Sequence, residues 1–204
     1  MGHHTGVGMA PPALSAGAQE GQTRMAAGKS PVYVAEDDLI GLRPMVYEDC
    51  ARYVAWRNDP RIRRYYIYRD TFTLEGEQRY FREKIETGEV LVYLICMKQD
   101  GGHPVGCAIL NAPEEDGSRE YGLFIGERTE RGIGIGRRVT DLVTTYALTV
   151  LGIPRVTARV FSDNLRSMQS AQAGGLRVTG VLRDVVCTDG EKKNMFTLER
   201  KLPG

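Results

Sequence analysis

Six residues, Arg131-Gly132-Ile133-Gly134-Ile135-Gly136, followed directly by a helical run from Arg137 to Leu151, constrain this chain more than any other stretch. Glycines at alternate positions leave a backbone that can take φ > 0 and present its N–H groups with no Cβ in the way. The helix behind them adds unpaired N-terminal N–H groups and the positive end of its dipole, so the junction suits a phosphate or pyrophosphate. Arg131, Arg137 and Arg138 add charge-assisted donors. Spacing excludes two common phosphate loops. A P-loop needs Lys and then Ser or Thr after its last glycine, but Arg137 and Arg138 follow Gly136. A dinucleotide fingerprint needs glycine at Arg137 if it starts at Gly132, or at Val139 if it starts at Gly134. The pattern left is R-x-x-G-x-G, on Arg131, Gly134 and Gly136, between an apolar strand and a helix.

Composition narrows the remaining classes. The chain has 204 residues, enough for one domain with a real core and too few for two comfortable ones. No apolar run approaches the roughly 20 residues of a membrane helix, so no membrane association is expected. Net charge is +1, which gives no global attraction to nucleic acid, and an RNA-contacting surface is a minor reading of the local arginines. Cys50, Cys96, Cys107 and Cys187 are dispersed without C-x-x-C and read as reduced core residues of a cytoplasmic protein. Apart from His3 and His4 only His103 remains, so no metal site and no Ser-His-Asp triad is expected. Residues 1–36 are rich in Gly, Ala, Pro, Ser and Gln and read as a disordered leader, without the basic start and apolar core of a secretory signal. A single domain is expected over 37–204.

Within that domain, periodicity predicts a strand at Leu39–Pro44, a helix from Tyr47 to Asn58 broken by Asp59-Pro60, and a helix from Leu74 to Glu86 capped by Thr73. Tyr80, Phe81 and Ile85 are expected on the inner face of the second helix. The run Val90–Met97 is nearly all apolar and reads as a buried strand, and Asp100-Gly101-Gly102 turns it into a partner at Val105–Leu110 with a close backbone approach at Gly106. Arg119–Ile125 leads into the glycine loop. Val139, Leu142, Val143, Tyr146, Ala147 and Val150 make the apolar stripe of the next helix. A strand at Arg155–Phe161, a short helix capped by Ser162 or Asp163, and two closing strands at Leu176–Val186 and Lys193–Arg200 complete the order.

With the R-x-x-G-x-G loop at its middle helix, this order resembles the GNAT acetyltransferase superfamily over about Leu39 to Lys201. Three further stretches resemble its branch of ribosomal-protein N-terminal, spermidine and amino-sugar acetyltransferases. They are Leu42-Arg43-Pro44 with Trp56-Arg57-Asn58-Asp59-Pro60, then Asn164-Leu165-Arg166-Ser167, then Gly180-Val181-Leu182-Arg183-Asp184 with Asp189-Gly190. The resemblance implies an α/β (α+β) fold: a mixed, mostly antiparallel sheet of six to seven strands with about four helices and splayed central strands. It implies acetyl-CoA as co-substrate, with the pantetheine arm between Tyr121–Ile125, including Leu123, Phe124 and Ile125, and Val156–Phe161. The pyrophosphate then rests on the loop and first turn, Arg131, Gly132, Ile133, Gly134, Ile135, Gly136 and Arg137, with Asn164 and Ser167 at the arm.

The implied reaction is direct attack of a primary amine on the thioester. An alkyl amine has a pKa near 10.4, so a base or a water chain must take its proton. Glu120 is the candidate base, its other reading being a solvated strand-edge residue. An oxyanion donor is expected near Leu123 or Ile125. The tyrosine acid common in the superfamily corresponds to Ala171 here, which leaves Ser167, Tyr121 or solvent to protonate the thiolate. Acceptor contacts are assigned to Trp56, Arg57, Asn58, Tyr65 and Asp184. Six arginines between Arg52 and Arg69 outnumber Asp59 and Asp70, which favours an acidic small-molecule amine such as a nucleotide-linked amino sugar. A protein N-terminal amine, or a non-catalytic acyl-CoA-binding domain, is the alternative. A homodimer is compatible with the sequence.

Overall fold

The computed structural model describes residues 32–127 and 134–203. Its strands are β1 (Ala35–Glu36), β2 (Ile40–Pro44), β3 (Leu91–Met97), β4 (His103–Leu110), β5 (Arg119–Ile125), β6 (Val156–Phe161), β7 (Arg177–Val186) and β8 (Lys192–Arg200). They form one sheet in the order β1-β2-β3-β4-β5-β6-β8-β7, antiparallel throughout except between β5 and β6. Helices α1 (Cys50–Arg57), α2 (Pro60–Arg63), α3 (Leu74–Tyr80), α4 (Ile135–Thr149) and α5 (Leu165–Ala173) complete the fold. This is the expected mixed, mostly antiparallel α/β architecture, with eight strands instead of six or seven and five helices instead of about four. The extra strand β1 pairs Ala35 with Leu42 and Glu36 with Gly41, so the fold begins before the expected boundary at residue 37. Residues 1–31 of the expected leader lie outside the described residues.

The continuous apolar run of β3 is explained by helices on both faces of the sheet. Tyr93, Ile95 and Met97 join a core with Val139, Val143 and Ala147 of α4, while Val92, Leu94 and Cys96 join one with Cys50, Tyr53 and Trp56 of α1. Strand alternation divides β5 in the same way: Tyr121, Leu123 and Ile125 lie with α4, and Phe124 lies with α1. Gly106 is where β4 meets β5 most closely; a Cβ there would stand 2.3 Å from the Phe124 carbonyl oxygen.

Several local expectations are corrected. The segment from Tyr47 opens as a 3-10 turn, Tyr47–Asp49, before α1 begins. Asp59-Pro60 ends α1 but also starts α2, because the Asp59 carboxylate accepts from the Arg61 N–H and Pro60 occupies a first-turn position where a missing N–H costs nothing. Thr73 caps α3 as expected, and the helix continues into a π-helical turn at Phe81–Ile85. Tyr80 is exposed, and the inner position on that helix belongs to Glu77. In α4, Val150 is exposed, whereas Thr140 and Thr144 are buried and donate backward to the Gly136 and Thr140 carbonyls. Asn164, not Ser162 or Asp163, caps α5 by accepting from the Ser167 N–H at 3.3 Å.

Candidate active site

The two central strands are paired only at Arg119 with Val156 and Glu120 with Thr157. Past these residues β6 remains bound to β8 as far as Phe161, while β5 follows β4 to Ile125, so the sheet opens into a wedge. The Glu120 carbonyl accepts from Asn111 and the Gly126 N–H donates to Val105, both toward β4. Alternation therefore turns the peptide groups of Tyr121, Leu123 and Ile125 the other way, and Leu123 stands beyond the last β5–β6 pair with its N–H and C=O directed into the wedge.

Helix α4 begins on the same strand's far side. Gly134 opens it at φ +84, a left-handed conformation that suits glycine, and nothing lies within 4 Å of the position a Cβ would take. Ile135 is fully buried and anchors the first turn. Gly136 lets α4 and α5 approach, since a Cβ there would meet the Ser170 hydroxyl at 2.9 Å. Arg137 is exposed with no carboxylate partner among the described residues. Arg138, expected to add a phosphate contact, is bound to Asp37 at 2.8 Å and Asp38 at 2.6 Å. A groove of about 600 Å³ lies here, lined by Asp37, Gly134, Arg137, Arg138, Gly174 and Gly175 among others. Arg131, Gly132 and Ile133 lie outside the described residues.

Beside the wedge, Glu120 forms a two-pronged ion pair with Arg159 of β6, Nε to Oε1 and Nη2 to Oε2 both at 2.8 Å. The pair spans the two strands at the point where they separate. Arg159 was not foreseen from the sequence, although its position two residues after Thr157 on an alternating strand was the available signal. Tyr121 points the other way, into the α4 core, 6% exposed. Its hydroxyl lies 3.2 Å from Thr140 Oγ1, and since the Thr140 proton is donated to the Gly136 carbonyl at 2.8 Å, Tyr121 donates to Thr140. Burial pushes the Tyr121 hydroxyl above its ordinary value, so it keeps this proton and ties β5 to the first turn of α4. Ser167 sits in the first turn of α5, half-buried, with no protein hydrogen bond to its hydroxyl among the described residues. Ala171 is buried.

The residues assigned to the acceptor are dispersed by the fold. Trp56 is buried edge-on to Phe124, its ring against Gly126, and its Nε1 donates to Glu127 at 3.0 Å. Asn58 uses its amide in both directions on Phe72, donating to the carbonyl and accepting from the N–H, each at 2.8 Å. Arg57 is 5% exposed, stacked 3.5 Å over Tyr66 and 4.7 Å over Phe72, with Nε and Nη1 lacking hydrogen-bond partners among the described residues. The Tyr65 hydroxyl accepts from Arg64. Asp184 takes φ 52 in a bulge of β7, separated from β6 by β8. A buried carboxyl that sequence reasoning missed, Glu77, lies in the same electrostatic neighbourhood as Arg57 and Tyr53.

Comparison with known proteins agrees with this geometry. The family described as "Acetyltransferase (GNAT) domain" matches residues 40–177, and the chain belongs to it. An uncharacterized protein of Methanocaldococcus jannaschii is 26% identical over 146 residues, covering 72% of this chain but only 30% of that relative's length. Among solved structures, spermidine N-acetyltransferase from Vibrio cholerae in complex with CoA and spermine superposes with a TM-score of 0.73 at 15% identity, covering 81% of this chain and 96% of that one. Ribosomal-protein-S5-alanine acetyltransferase from Vibrio fischeri gives 0.70 at 16% identity, covering 81% and 94%. Aminoglycoside acetyltransferase AAC(6')-Ib in complex with coenzyme A and kanamycin gives 0.65 at 18% identity, covering 79% and 94%. Among the described residues no helix is long and apolar enough to cross a membrane.

Proposed function

We propose that the chain transfers an acetyl group from acetyl-CoA to a primary amine of a small molecule. The observation that carries this reading is the wedge: two parallel strands that separate after two pairs, one running toward an α-helix whose N-cap is a left-handed glycine. The residues present fit the donor. Leu123 offers strand N–H and C=O to a pantetheine amide, and the first turn of α4 offers N–H groups and its dipole to the pyrophosphate. Arg137, with no acidic partner among the described residues, completes the phosphate side, with Asn164 and Ser167 across the wedge on α5.

Acetyl-CoA supplies a thioester whose carbonyl carbon the amine nitrogen joins. Glu120, held by Arg159 at the foot of the wedge, draws the cationic amine in and passes its proton toward solvent. The Leu123 N–H is placed to stabilise developing negative charge on oxygen. Ser167 is the hydroxyl within the first turn of α5 that is available to the departing thiolate, and Tyr121 serves as a tie between β5 and α4. Arg57, Arg63 and Arg64 lack carboxylate partners among the described residues, which supports an acidic group on the acceptor. The four cysteines, all free and buried, fit a cytoplasmic setting.

Acetyl-CoA binding by calorimetry, followed by thiol release against a panel of amines, tests this reading. Wild type is expected to bind at micromolar strength. Gly134→Asp is expected to lose at least tenfold, because it places a negative charge and a strained φ at the phosphate site. Equal affinities for the two proteins would refute the assignment of the loop.

A further inference from the structure

The segment from Arg64 to Phe72, between α2 and α3, forms no regular element, yet it is tied to both halves of the opened sheet. At one end it is fixed by Asn58, whose amide holds the Phe72 backbone, and by the Arg57 guanidinium stacked on Tyr66 and Phe72. Its middle touches the two diverging strands with consecutive residues. Tyr66 meets Phe124 of β5 edge-on with centroids 6.4 Å apart, and Ile67 packs on the cluster that Phe161 of β6 forms with Cys187 and Met195, the Arg69 guanidinium lying 5.9 Å from the Phe161 ring. It is then bound to the β7–β8 turn. The Thr188 N–H donates to the Ile67 carbonyl at 2.9 Å, the Arg69 N–H donates to Thr188 Oγ1 at 2.8 Å, and Arg69 Nη1 bonds Asp189 and Glu191, each at 2.6 Å. The Arg69 side chain also donates to the Tyr66 and Arg64 carbonyls, which bends the segment back on itself.

We propose that this strap covers the acceptor side of the wedge and that Arg69, with Asp189 and Glu191 as its catch, restricts the acceptor to a compact amine. The proposal rests on the acetyltransferase reading above. Glu120, Phe124, Arg159 and Phe161 share the sheet face opposite α4, so an amine reaches the wedge from the side the strap crosses. A polypeptide N-terminus must trail its chain out of the cleft, and a strap bound at both ends obstructs that path. A compact amine has nothing to trail. The catch is electrostatic and partly exposed: the two carboxylate side chains are 47% and 50% accessible, so salt weakens it while leaving the apolar contacts of Ile67 intact.

The test compares wild type with Asp189→Asn/Glu191→Gln, which keeps the shape of the turn, and with Arg69→Ala. Three quantities are read: the acetyl-CoA Kd, kcat/KM for a compact amine and for a ten-residue peptide with a free N-terminus, and hydrogen exchange at the Arg69 and Thr188 amides. In both variants the ratio of peptide to compact-amine kcat/KM is expected to rise at least tenfold, with the acetyl-CoA Kd within twofold of wild type and the two amides exchanging at least tenfold faster. Raising NaCl from 50 to 500 mM is expected to increase the ratio in wild type but not in the double variant. An unchanged ratio, or a wild type that acetylates the peptide as well as the compact amine, overturns the proposal. If no amine is acetylated the donor reading fails separately, and unchanged amide exchange in the variants then overturns the catch on its own.

Discussion

Replacing Glu77 with Gln should make this protein more stable, and by an amount that depends on pH. Glu77 lies on the inner side of α3, 4% exposed, with Oε1 lacking a hydrogen-bond partner among the described residues. Burial raises its carboxyl from 4.5 to about 7, against a smaller opposing pull from the Arg57 charge. The groups around it are Arg57, Tyr53 and Cys50 of α1 and Tyr80 of its own helix. Because the folded value lies above the unfolded one, the native state keeps a proton that the unfolded chain has already released. The contribution of Glu77 to stability is therefore complete below pH 4.5 and is lost as pH rises toward 7. At about 1.4 kcal/mol per pKa unit the ceiling is about 3 kcal/mol, and water reaching the ionised carboxylate reduces the realised loss to about 2 kcal/mol. Gln has the same shape and no charge, so its stability carries no such slope. Urea unfolding of both proteins should show Glu77→Gln gaining about 2 kcal/mol on wild type between pH 5 and pH 8, with little further change above. A constant difference across that range would refute the argument. That flat profile is what an ionised Glu77 paired with Arg57 would give, because a lowered carboxyl pKa completes the titration below pH 5 and leaves no slope above it.

Further outcomes follow from contacts at the site. Gly126→Ala puts a Cβ 2.4 Å from the Trp56 ring and should cost about 1–3 kcal/mol, with a shift in tryptophan emission that reports on this residue alone because the chain has one Trp. Asn58→Ala leaves the Phe72 N–H and C=O without their partners; a loss of about 2 kcal/mol in chemical denaturation is expected, together with faster proteolysis in 64–72. Glu120→Gln should lower kcat at least tenfold while acetyl-CoA affinity stays within twofold, and an unaltered kcat would remove Glu120 from the proton path. Tyr121→Phe should cost about 1 kcal/mol of stability and leave kcat within threefold, whereas a hundredfold fall in kcat would show that its proton reaches the reacting atoms.

The elements were legible because their signals are local. The apolar run of β3, the Thr73 cap, the turn glycines and the 3.6-residue stripe of α4 each depend on residues a few positions apart, and all appear close to where periodicity places them. Gly134 at the left-handed N-cap of α4 was legible for the same reason, since a glycine there meets a backbone need at a helix end. What periodicity misjudged were positions whose environment comes from distant chain. Val150 continues the stripe of α4 but falls at its C-cap and is exposed, and Tyr80 yields its inner position to a carboxyl that no apolar pattern would place there.

The sequence by itself therefore determined the order of elements, the sheet class and a glycine at the start of α4, all of which follow from short-range sterics and hydrophobic spacing. Only the tertiary structure decided how polar side chains are used. Asn58 and Trp56 stand in a conspicuous motif, yet the fold commits one to the Phe72 backbone and the other to Gly126 and Glu127. Glu120 meets Arg159 from 39 residues away, and Arg69 meets Asp189 from 120 away. A charge has no periodicity to announce its partner. Its pairing depends on distance in space and on which neighbours burial strips of water, and both are set only once the sheet has closed around it.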